Sequence, residues 1–486
     1  MASILGREHK CCLAATVGLV STKPEIRTLG ELRAAGYTSR TLREELRHNL
    51  LEALRAGRDP WPGMHGFDTT VIPQVERAII AGHDIVLLGE RGQGKTRLLR
   101  TLVGLLDEWS PVVEGAELAE DPLAPITDPT RERIDREGDA LPIVWRHRDE
   151  RYVEKLSTPD TSVADMIGDV DPMRVAEGRR LGDPETIHYG LIPRANRGIV
   201  ALNELPDLAE RIQVALLNVM EERDVQIRGY VLRLPLDVLV VASANPEDYT
   251  NRGRIITPLK DRFGAEIRTH YPLDLADEIE VVRQEAELAA EVPAPLIELL
   301  ARFTRELRTS DAVNQASGVS ARFAIAGAET VAAAARRRAA VRGVGDDDGE
   351  AVARLVDVDA AVDVLRGKIE FEPGEEGREP EILRYLLRSA TIDVVRGLFR
   401  GIDMAPLVEA FDGEFTMTTG AEVTAAEFLE DLPGLTDAPE LYDQIAERAG
   451  ARTAGQRAGA IELALEGLYL SRRLSKETGD GAAVYG

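Results

Sequence analysis

The sequence has 486 residues, of which 59 are Lys or Arg and 84 are Asp or Glu, so its formal net charge at pH 7 is −25. A chain of this length is expected to form about three domains, and one so acidic would be repelled by phosphate backbones, which argues against nucleic-acid binding as its main activity. The two cysteines are adjacent (Cys11 and Cys12), which excludes a disulfide framework and favours a reducing, cytoplasmic location, and no apolar run approaches the ~18–20 residues that would span a membrane.

The first half of the chain is predicted to change from helix to alternating strand and helix. We expect residues 1–25 to form a loose N-terminal extension and residues 26–64 a helical segment, because leucines recur there near helical spacing among charges. An amphipathic helix is predicted over Val71–Ala81, followed by a short buried strand over Asp84–Leu88. Strands and helices then alternate, which predicts βαβ units and a parallel sheet covered on both faces. Residues 65–272 are therefore expected to be an α/β domain.

Two stretches rich in turn-forming residues interrupt this alternation, one over 114–151 and one over 168–190. Both are predicted to be insertions on the sheet. Beyond residue 272 the pattern is almost wholly helical and rich in Ala, Arg and Glu. We expect a helical domain over 273–370 and a helical C-terminal extension over 371–486.

The segment after the first strand matches the pattern G-x-x-x-x-G-K-[ST] at every fixed position. Its residues are Gly89, Glu90, Arg91, Gly92, Gln93, Gly94, Lys95 and Thr96. Glycines permit the positive φ at which successive backbone N–H groups converge on a phosphate, and the following helix adds the positive end of its dipole. Lys95 is expected to reach the β- and γ-phosphates, and the Thr96 hydroxyl to ligate Mg²⁺. The segment therefore predicts a nucleotide phosphate site for ATP with Mg²⁺.

A second strand, beginning at Gly198, ends in Asn203 and Glu204. Glu204 is suited to polarising the attacking water, whereas Asn203 stands where a P-loop ATPase normally has Asp. The amide oxygen of Asn203 can accept a metal contact but brings no negative charge. On the residues alone, the alternative is a strand end that carries a solvated glutamate.

A third apolar strand, predicted over Leu236–Ala242, leads to Asn245, and a short charged segment ends at Arg262. Asn245 can orient water against the γ-phosphate, or can simply open a turn before Pro246. Arg262 can form a salt bridge within its own fold, or can reach the phosphate bound by a neighbouring subunit.

Together these motifs resemble the AAA+ superfamily, and within it the clade of the magnesium-chelatase ATPase subunit and the MoxR-type ATPases. The resemblance covers about residues 65–370 and is strongest over Thr161–Phe263, through Gly190-Leu191-Ile192, Ala195-Asn196-Arg197-Gly198, Asn203-Glu204, Ala244-Asn245-Pro246-Glu247 and Asp261-Arg262-Phe263. It implies a P-loop core with a parallel sheet and inserted hairpins, followed by a helical lid. Residues 65–272 would be the nucleotide-binding domain and residues 273–370 the lid.

The resemblance also assigns roles to single residues. Asn245 matches the sensor-1 position, Arg262 the arginine finger that acts across a subunit boundary, and Arg322 the sensor-2 arginine of the lid. Thr96 and Asn203 would hold the Mg²⁺ of the nucleotide. The segments 168–190 and 223–234 correspond to the inserted hairpin of this clade and to the hairpin before sensor 1.

The family further implies a hexameric ring that works on a partner, often a separate von Willebrand A-type protein. We expect an ATP-driven ring machine that inserts a metal or remodels a partner. A weakly hydrolysing scaffold is the alternative because of Asn203. A sigma-54-type activator is disfavoured because the sequence has neither the Gly-Ala-Phe-Thr-Gly-Ala loop nor a basic recognition helix. Within the extension, residues 379–486 go beyond what the chelatase subunit normally has.

Overall fold

The computed structural model describes residues 22–486 with the exception of 172, 174–175, 177–185, 222–223, 228–229, 246–252, 315–317, 344–350, 413–414 and 480–481. The N-terminal extension expected over 1–25 therefore lies almost wholly outside the described residues. The strands are β1 (Ile85–Leu88), β2 (Trp109–Val113), β3 (Ile143–His147), β4 (Tyr152–Leu156), β5 (Gly168–Val170), β6 (Ile187–Tyr189), β7 (Gly198–Asn203), β8 (Asp224–Ile227), β9 (Tyr230–Arg233), β10 (Val238–Ala244), β11 (Ala265–Arg268), β12 (Met417–Gly420), β13 (Lys476–Gly479) and β14 (Ala482–Tyr485).

The helices are α1 (Leu29–Ala34), α2 (Leu42–Arg55), α3 (Ile72–Ala81), α4 (Lys95–Thr101), α5 (Asp128–Glu137), α6 (Val163–Met166), α7 (Leu191–Arg194), α8 (Glu210–Glu221), α9 (Thr257–Arg262), α10 (Leu275–Glu285), α11 (Ala294–Thr309), α12 (Ala321–Val341), α13 (Leu355–Leu365), α14 (Glu379–Leu398), α15 (Ala405–Glu409), α16 (Ala425–Glu430), α17 (Leu441–Arg448) and α18 (Ala454–Leu470). Short 3-10 turns extend several of them.

The central sheet has five parallel strands in the order β11-β1-β10-β7-β4. Its strands alternate in the face to which they send their side chains, as the period of two requires. Ile85 and Leu87 pack with the helices α2, α3 and α4, whereas Val86 and Leu88 pack with α6 and α8 on the other face. The expected parallel sheet with helices on both faces is therefore confirmed.

Both expected hairpins are present as antiparallel strand pairs. β5 pairs with β6, and β8 pairs with β9. The tip of the first and the turn of the second lie outside the described residues. The polar stretch 114–151 is more regular than expected, because it contains α5 and β3, and β3 pairs with β2 away from the central sheet.

The N-terminal helical segment packs directly on the α/β core. Leu42, Leu46 and Leu50 of α2 belong to the same apolar cluster as the helix that follows the phosphate loop. A buried ion pair ties α2 to the sheet, with an Arg151 Nη2–Glu45 Oε2 distance of 2.7 Å. Arg151 also donates a hydrogen bond to the carbonyl of Arg197, which immediately precedes β7. The α2 helix therefore supports the strand that carries Asn203.

The C-terminal half of the chain forms one apolar core. Residues of α11 and α12 and residues of α14 and α18 belong to a single buried cluster, so the predicted lid and the predicted extension pack against each other. The extension also contains an antiparallel sheet, in the order β12-β14-β13, that the helical expectation missed. Tyr485, near the end of the chain, is fully buried in this core. Within the described residues, no helix combines the length and the apolar character that crossing a membrane requires.

Candidate nucleotide-binding site

The phosphate loop connects β1 to α4 at the carboxyl edge of the central sheet. Gly92 and Gly94 have φ values of 75° and 70°, a region that only glycine adopts without cost, and Gly94 caps the N-terminus of α4. The helix α4 thus begins directly after a left-handed glycine turn. Backbone N–H groups at such a helix start form the arrangement that binds a phosphate.

Side chains from outside the loop fix its shape. The buried amide oxygen of Gln93 accepts hydrogen bonds from the backbone N of Glu90 at 3.0 Å and from Thr269 Oγ1 at 2.9 Å. The hydroxyl of Tyr271 donates to the carbonyl of Arg91 at 2.9 Å. Gln93 thus braces the loop from within, while Thr269 and Tyr271, which sequence reasoning missed, attach it to the end of β11.

Three predicted residues form a continuous hydrogen-bonded chain. The ammonium of Lys95 donates to Asn245 Oδ1 at 2.8 Å, and Asn245 Nδ2 donates to Glu204 Oε2 at 2.9 Å. Lys95 also contacts the carbonyls of Gly89 and Glu90. Lys95 and Asn245 are buried. Asn245 therefore links the phosphate loop to the acidic strand end, which is more than the turn-opening role that its neighbour Pro246 allows.

Glu204 stands at a strained backbone position directly after β7. Its φ of 54° and ψ of 51° are left-handed values that a non-glycine residue adopts at a cost of about 1–3 kcal/mol. Its backbone N donates to Ser243 Oγ at 3.3 Å, a contact that attaches it to β10. Such strain is commonly found where a side chain must be held in a functional position.

Asn203 is buried and has both ends of its amide engaged. Its Oδ1 accepts a hydrogen bond from Ser243 Oγ at 3.1 Å, and its Nδ2 donates to Glu154 Oε1 at 2.8 Å. Glu154 lies on β4, beside β7, and accepts from Arg100 of α4 at 2.8 Å and 3.0 Å. The hydrogen bond from Arg100 holds the pKa of the Glu154 carboxyl below its usual range, against the opposing effect of burial. Sequence reasoning missed Ser243 and Glu154, since neither belongs to a motif with a recognisable spacing.

The oxygen donors near the loop fit a small hard cation. Thr96 is the second residue of α4, two residues after the Gly94 cap, and is partly exposed. Asn203 adds an amide oxygen, and Glu204 brings a carboxylate to the same end of β7. Mg²⁺ prefers such oxygen ligands together with phosphate oxygens and water. These residues therefore fit a nucleotide-bound Mg²⁺.

Arg262 is the last residue of α9 and lies at the surface. Its side chain is 41% exposed, and its Nη2 is 3.4 Å from Glu221 Oε1 at the end of α8. An exposed pair of this kind contributes at most about 1 kcal/mol to stability. Arg262 is thus exposed enough to exchange its partner for a group on a second molecule.

Arg322 lies in the first turn of α12, close to the phosphate loop. Ser320 caps this helix by accepting from the Arg322 backbone N at 3.1 Å, and the Arg322 side chain is exposed. A Cβ placed on Gly92 would come within 1.9 Å of Ser320 Oγ. The N-terminus of α12 therefore packs directly on the loop, and glycine is required at position 92 for that reason as well as for its φ.

A buried charge cluster links α10 and α11 and contacts the phosphate loop through Tyr271. Glu278 of α10 is fully buried and pairs with Arg308 of α11 at 2.8 Å and 3.0 Å. The Arg308 guanidinium lies 4.0 Å from the centre of the Tyr271 ring, whose hydroxyl binds the phosphate loop. Burial raises the pKa of the Glu278 carboxyl above its usual range, and the neighbouring Arg308 opposes this effect. Sequence reasoning missed this connection between lid and loop.

The chain was compared with known families and proteins. The family described as the Sigma-54 interaction domain matches residues 181–262, a stretch that contains Asn203, Glu204, Asn245 and Arg262. Magnesium-chelatase subunit ChlI of Anabaena variabilis is 28% identical over 215 residues, which is 43% of this chain and 59% of that protein. The magnesium-chelatase 38 kDa subunit of Rhodobacter capsulatus is 29% identical over 218 residues, 44% of this chain and 56% of that protein.

Among solved structures, a complex of the BchI and BchD subunits of magnesium chelatase contains a chain that is 21% identical to this one. The match covers 67% of this chain and 98% of that chain, with a TM-score of 0.34. A TM-score of 0.34 is too low to support a conclusion about this chain. The sequence matches span a little more than half the length of the curated relatives.

Proposed function

We propose, from its resemblance to the AAA+ ATPases of the magnesium-chelatase type, that this chain binds and hydrolyses ATP as part of a ring assembly. The resemblance itself is confirmed by the matches to magnesium-chelatase subunits and to an AAA+ domain. The activity, its cofactors ATP and Mg²⁺ and the partners are our proposals. So is the division into an extension (1–25), a helical segment (26–64), a nucleotide-binding domain (65–272), a lid (273–370) and a C-terminal extension (371–486).

The observation that carries the proposal is the chain from Lys95 through Asn245 to Glu204. In hydrolysis, Lys95 would neutralise charge on the β- and γ-phosphates. Glu204 would orient and polarise the attacking water, and Asn245 would hold Glu204 in register with the phosphate end. Thr96 and Asn203 would ligate Mg²⁺, which when bound supplies further charge neutralisation at the phosphates.

We further propose that Arg262 completes the site of an adjacent subunit in a hexameric ring. Its exposure and its weak pairing with Glu221 support this, because breaking that exposed ion pair to contact a phosphate costs at most about 1 kcal/mol. Arg322, exposed at the start of α12, would act as the lid residue that senses the same nucleotide. A ring with a shared site would be nearly inactive as monomers.

We propose that the protein works in the cytoplasm on a partner protein. It would either insert a metal or remodel that partner. The naming of the relatives as magnesium-chelatase subunits supports the first of these. The resemblance to this clade, which includes the MoxR-type ATPases, suggests a von Willebrand A-type protein as the partner. Porphyrin-dependent stimulation of ATP hydrolysis would separate metal insertion from remodelling.

Steady-state phosphate release at several protein concentrations tests the proposal. We expect turnover per subunit to rise with protein concentration as rings assemble. Lys95→Ala should lose nucleotide binding and turnover, whereas Glu204→Gln should keep binding and lose turnover. Turnover that is independent of concentration, or that persists in both variants, would contradict the proposal.

A second candidate function is a nucleotide-dependent scaffold or chaperone that hydrolyses ATP weakly. The absence of a carboxylate at position 203 favours it, since a metal shell with less negative charge stabilises the transition state less. Tight ATP binding without turnover, with turnover gained in Asn203→Asp, would support the scaffold. The Sigma-54 interaction match covers only a part of the core that AAA+ proteins share, and the sequence has no Gly-Ala-Phe-Thr-Gly-Ala loop.

A further inference from the structure

The amide at position 203 leaves the acidic strand end short of one negative charge. A carboxylate lies directly beside it, however, because Glu154 Oε1 accepts from Asn203 Nδ2 at 2.8 Å. Glu154 belongs to β4, a different strand from the one that carries Asn203 and Glu204. The acid and the amide are therefore neighbours in space although 49 residues separate them in sequence.

The register of the sheet places both side chains on the face of the phosphate-loop helix. β4 runs parallel to β7, with Glu154 opposite Ala201 and Leu156 opposite Asn203. Side chains two residues apart share a face, so Glu154, Ala201 and Asn203 point the same way. Ala201 packs in the cluster that contains Leu98 of α4. This is the face on which Thr96 begins its helix.

The carboxylate determines which way the Asn203 amide is turned. An ionised carboxylate only accepts hydrogen bonds, so the amide must present its nitrogen to Glu154. Its oxygen is thereby turned away and accepts from Ser243 at 3.1 Å. A glutamine at 154 has a rotatable amide and would not impose that choice.

Glu154 is paired with an arginine that faces the solvent. The Arg100 side chain is 64% exposed, so solvent screens it, whereas Glu154 is only 22% exposed. Arg100 follows Thr96 by four residues on α4 and thus lies one turn farther along the helix. It holds Glu154 in place from the side away from the phosphate loop.

We propose that Glu154 and Asn203 form one unit, in which Glu154 supplies the negative charge that an aspartate would carry at position 203 and fixes the orientation of the Asn203 amide. Glu154 is a positioning residue for the Mg²⁺ of the nucleotide, acting through Asn203. This inference rests on the proposed ATP binding. Removing a side chain that supports a metal ligand in this way commonly weakens metal affinity by about 10–100-fold.

The test is the Mg²⁺ concentration at which a fluorescent ATP analogue is half-maximally bound by the full-length protein. We expect Glu154→Gln to raise this Mg²⁺ midpoint about tenfold and to leave analogue binding without Mg²⁺ unchanged. The exchanged pair Glu154→Gln with Asn203→Asp returns one carboxylate to the unit, so it should restore the midpoint to near the wild-type value.

Glu285→Gln is the matched control. Glu285 pairs with Arg97, another arginine of α4, and its side chain is 35% exposed against 22% for Glu154. It is the last residue of α10 and is not one of the partners of the Asn203 amide. Its Mg²⁺ midpoint should stay at the wild-type value. Thermal unfolding without Mg²⁺ checks that each variant is folded. A second readout is the stability of Asn203→Asp alone, which should unfold at a lower temperature than the exchanged pair, because it sets two carboxylates against each other.

The outcomes separate this inference from the proposed function. An unchanged midpoint in Glu154→Gln, or an equal rise in Glu285→Gln, would overturn the inference while leaving ATP binding intact. Failure of the exchanged pair to recover the midpoint would also overturn it. If the wild-type protein bound no analogue at any Mg²⁺ concentration, both the inference and the proposed function would fall.

Discussion

Among single residues, Asn245 matters most for the proposed hydrolysis. It accepts a hydrogen bond from Lys95 and donates one to Glu204, so it connects the lysine of the phosphate loop to the carboxylate at the end of β7. Asn245→Ala should therefore keep ATP binding and lower turnover about 100-fold, the usual effect of deleting one oriented polar group from a reaction site. Single-turnover phosphate release against ATP affinity would measure the two effects separately.

Asn245→Asp is the informative control for that prediction. It keeps an acceptor for Lys95 but replaces the donor to Glu204 with a second carboxylate. It should thus bind ATP and be as slow as Asn245→Ala. A turnover near the wild-type value in either variant would show that the link from Lys95 to Glu204 is not used.

Glu278 gives a pH dependence with a definite sign. Burial raises its pKa in the folded protein above the ordinary value of 4.5. Its contribution to stability is therefore fully present below pH 4.5 and is lost as the pH rises through the folded pKa. Relative to Glu278→Gln, which does not ionise, the wild-type protein should lose thermal stability as the pH rises above about 4.5 and through the raised pKa of Glu278. A constant difference in unfolding temperature over that range would contradict this.

The residues of the phosphate loop could be predicted from sequence because the pattern is local and its spacing follows from one turn. Glu154, Ser243 and Tyr271 could not be predicted, since no motif or spacing in the sequence singles them out. Their roles arise from strand register and from the order of the strands in the sheet. Sequence spacing does not encode either of these.

At the scale of elements, the end of β11 joins the lid to the phosphate loop through Tyr271. The ring contacts Arg308 of α11, and the hydroxyl donates to the loop carbonyl of Arg91. Tyr271→Phe keeps the ring contact and removes only the hydrogen bond, which is worth about 1 kcal/mol. ATP affinity should fall about fivefold, while the unfolding temperature changes little. Calorimetric titration with ATP measures this.

Tyr442→Phe is the control for that substitution. Tyr442 also donates its hydroxyl to a backbone carbonyl, that of Pro433 at 3.1 Å, but it does so in the C-terminal extension. Its loss should leave ATP affinity unchanged. Equal effects of the two substitutions would mean that the Tyr271 hydrogen bond stabilises the fold without shaping the loop.

The elements themselves could be predicted where a hydrophobic period was sustained. Leucines at helical spacing predict α2 and α14, and short apolar runs predict β1, β7 and β10. The strand β10 lies over Val238–Ala244, two residues later than the predicted Leu236–Ala242, because the charged Asp237 does not belong to it. The strands β12, β13 and β14 could not be predicted, because each has only four residues, and Thr, Gly and Ala make up most of them. Their pairing joins residues 417–420 to 482–485, which is a tertiary effect.

At the scale of the whole molecule, the nucleotide site and the C-terminal core are mechanically connected. The helices α11 and α12 share one apolar core with α14 and α18, while Ser320, Tyr271 and Arg308 connect this core to the phosphate loop. Arg262 lies at the surface, where a ring neighbour would meet it.

Mixing two inactive variants tests most directly whether Arg262 acts in the site of a neighbouring subunit. Arg262→Ala retains an intact Glu204 but offers no arginine to its neighbour, and Glu204→Gln offers the arginine but lacks the carboxylate. If Arg262 acts across the subunit boundary, each variant alone should release almost no phosphate, and an equal mixture should recover activity at about a quarter of its interfaces. A mixture as inactive as its components, or full activity of Arg262→Ala alone, would contradict the shared-site ATPase.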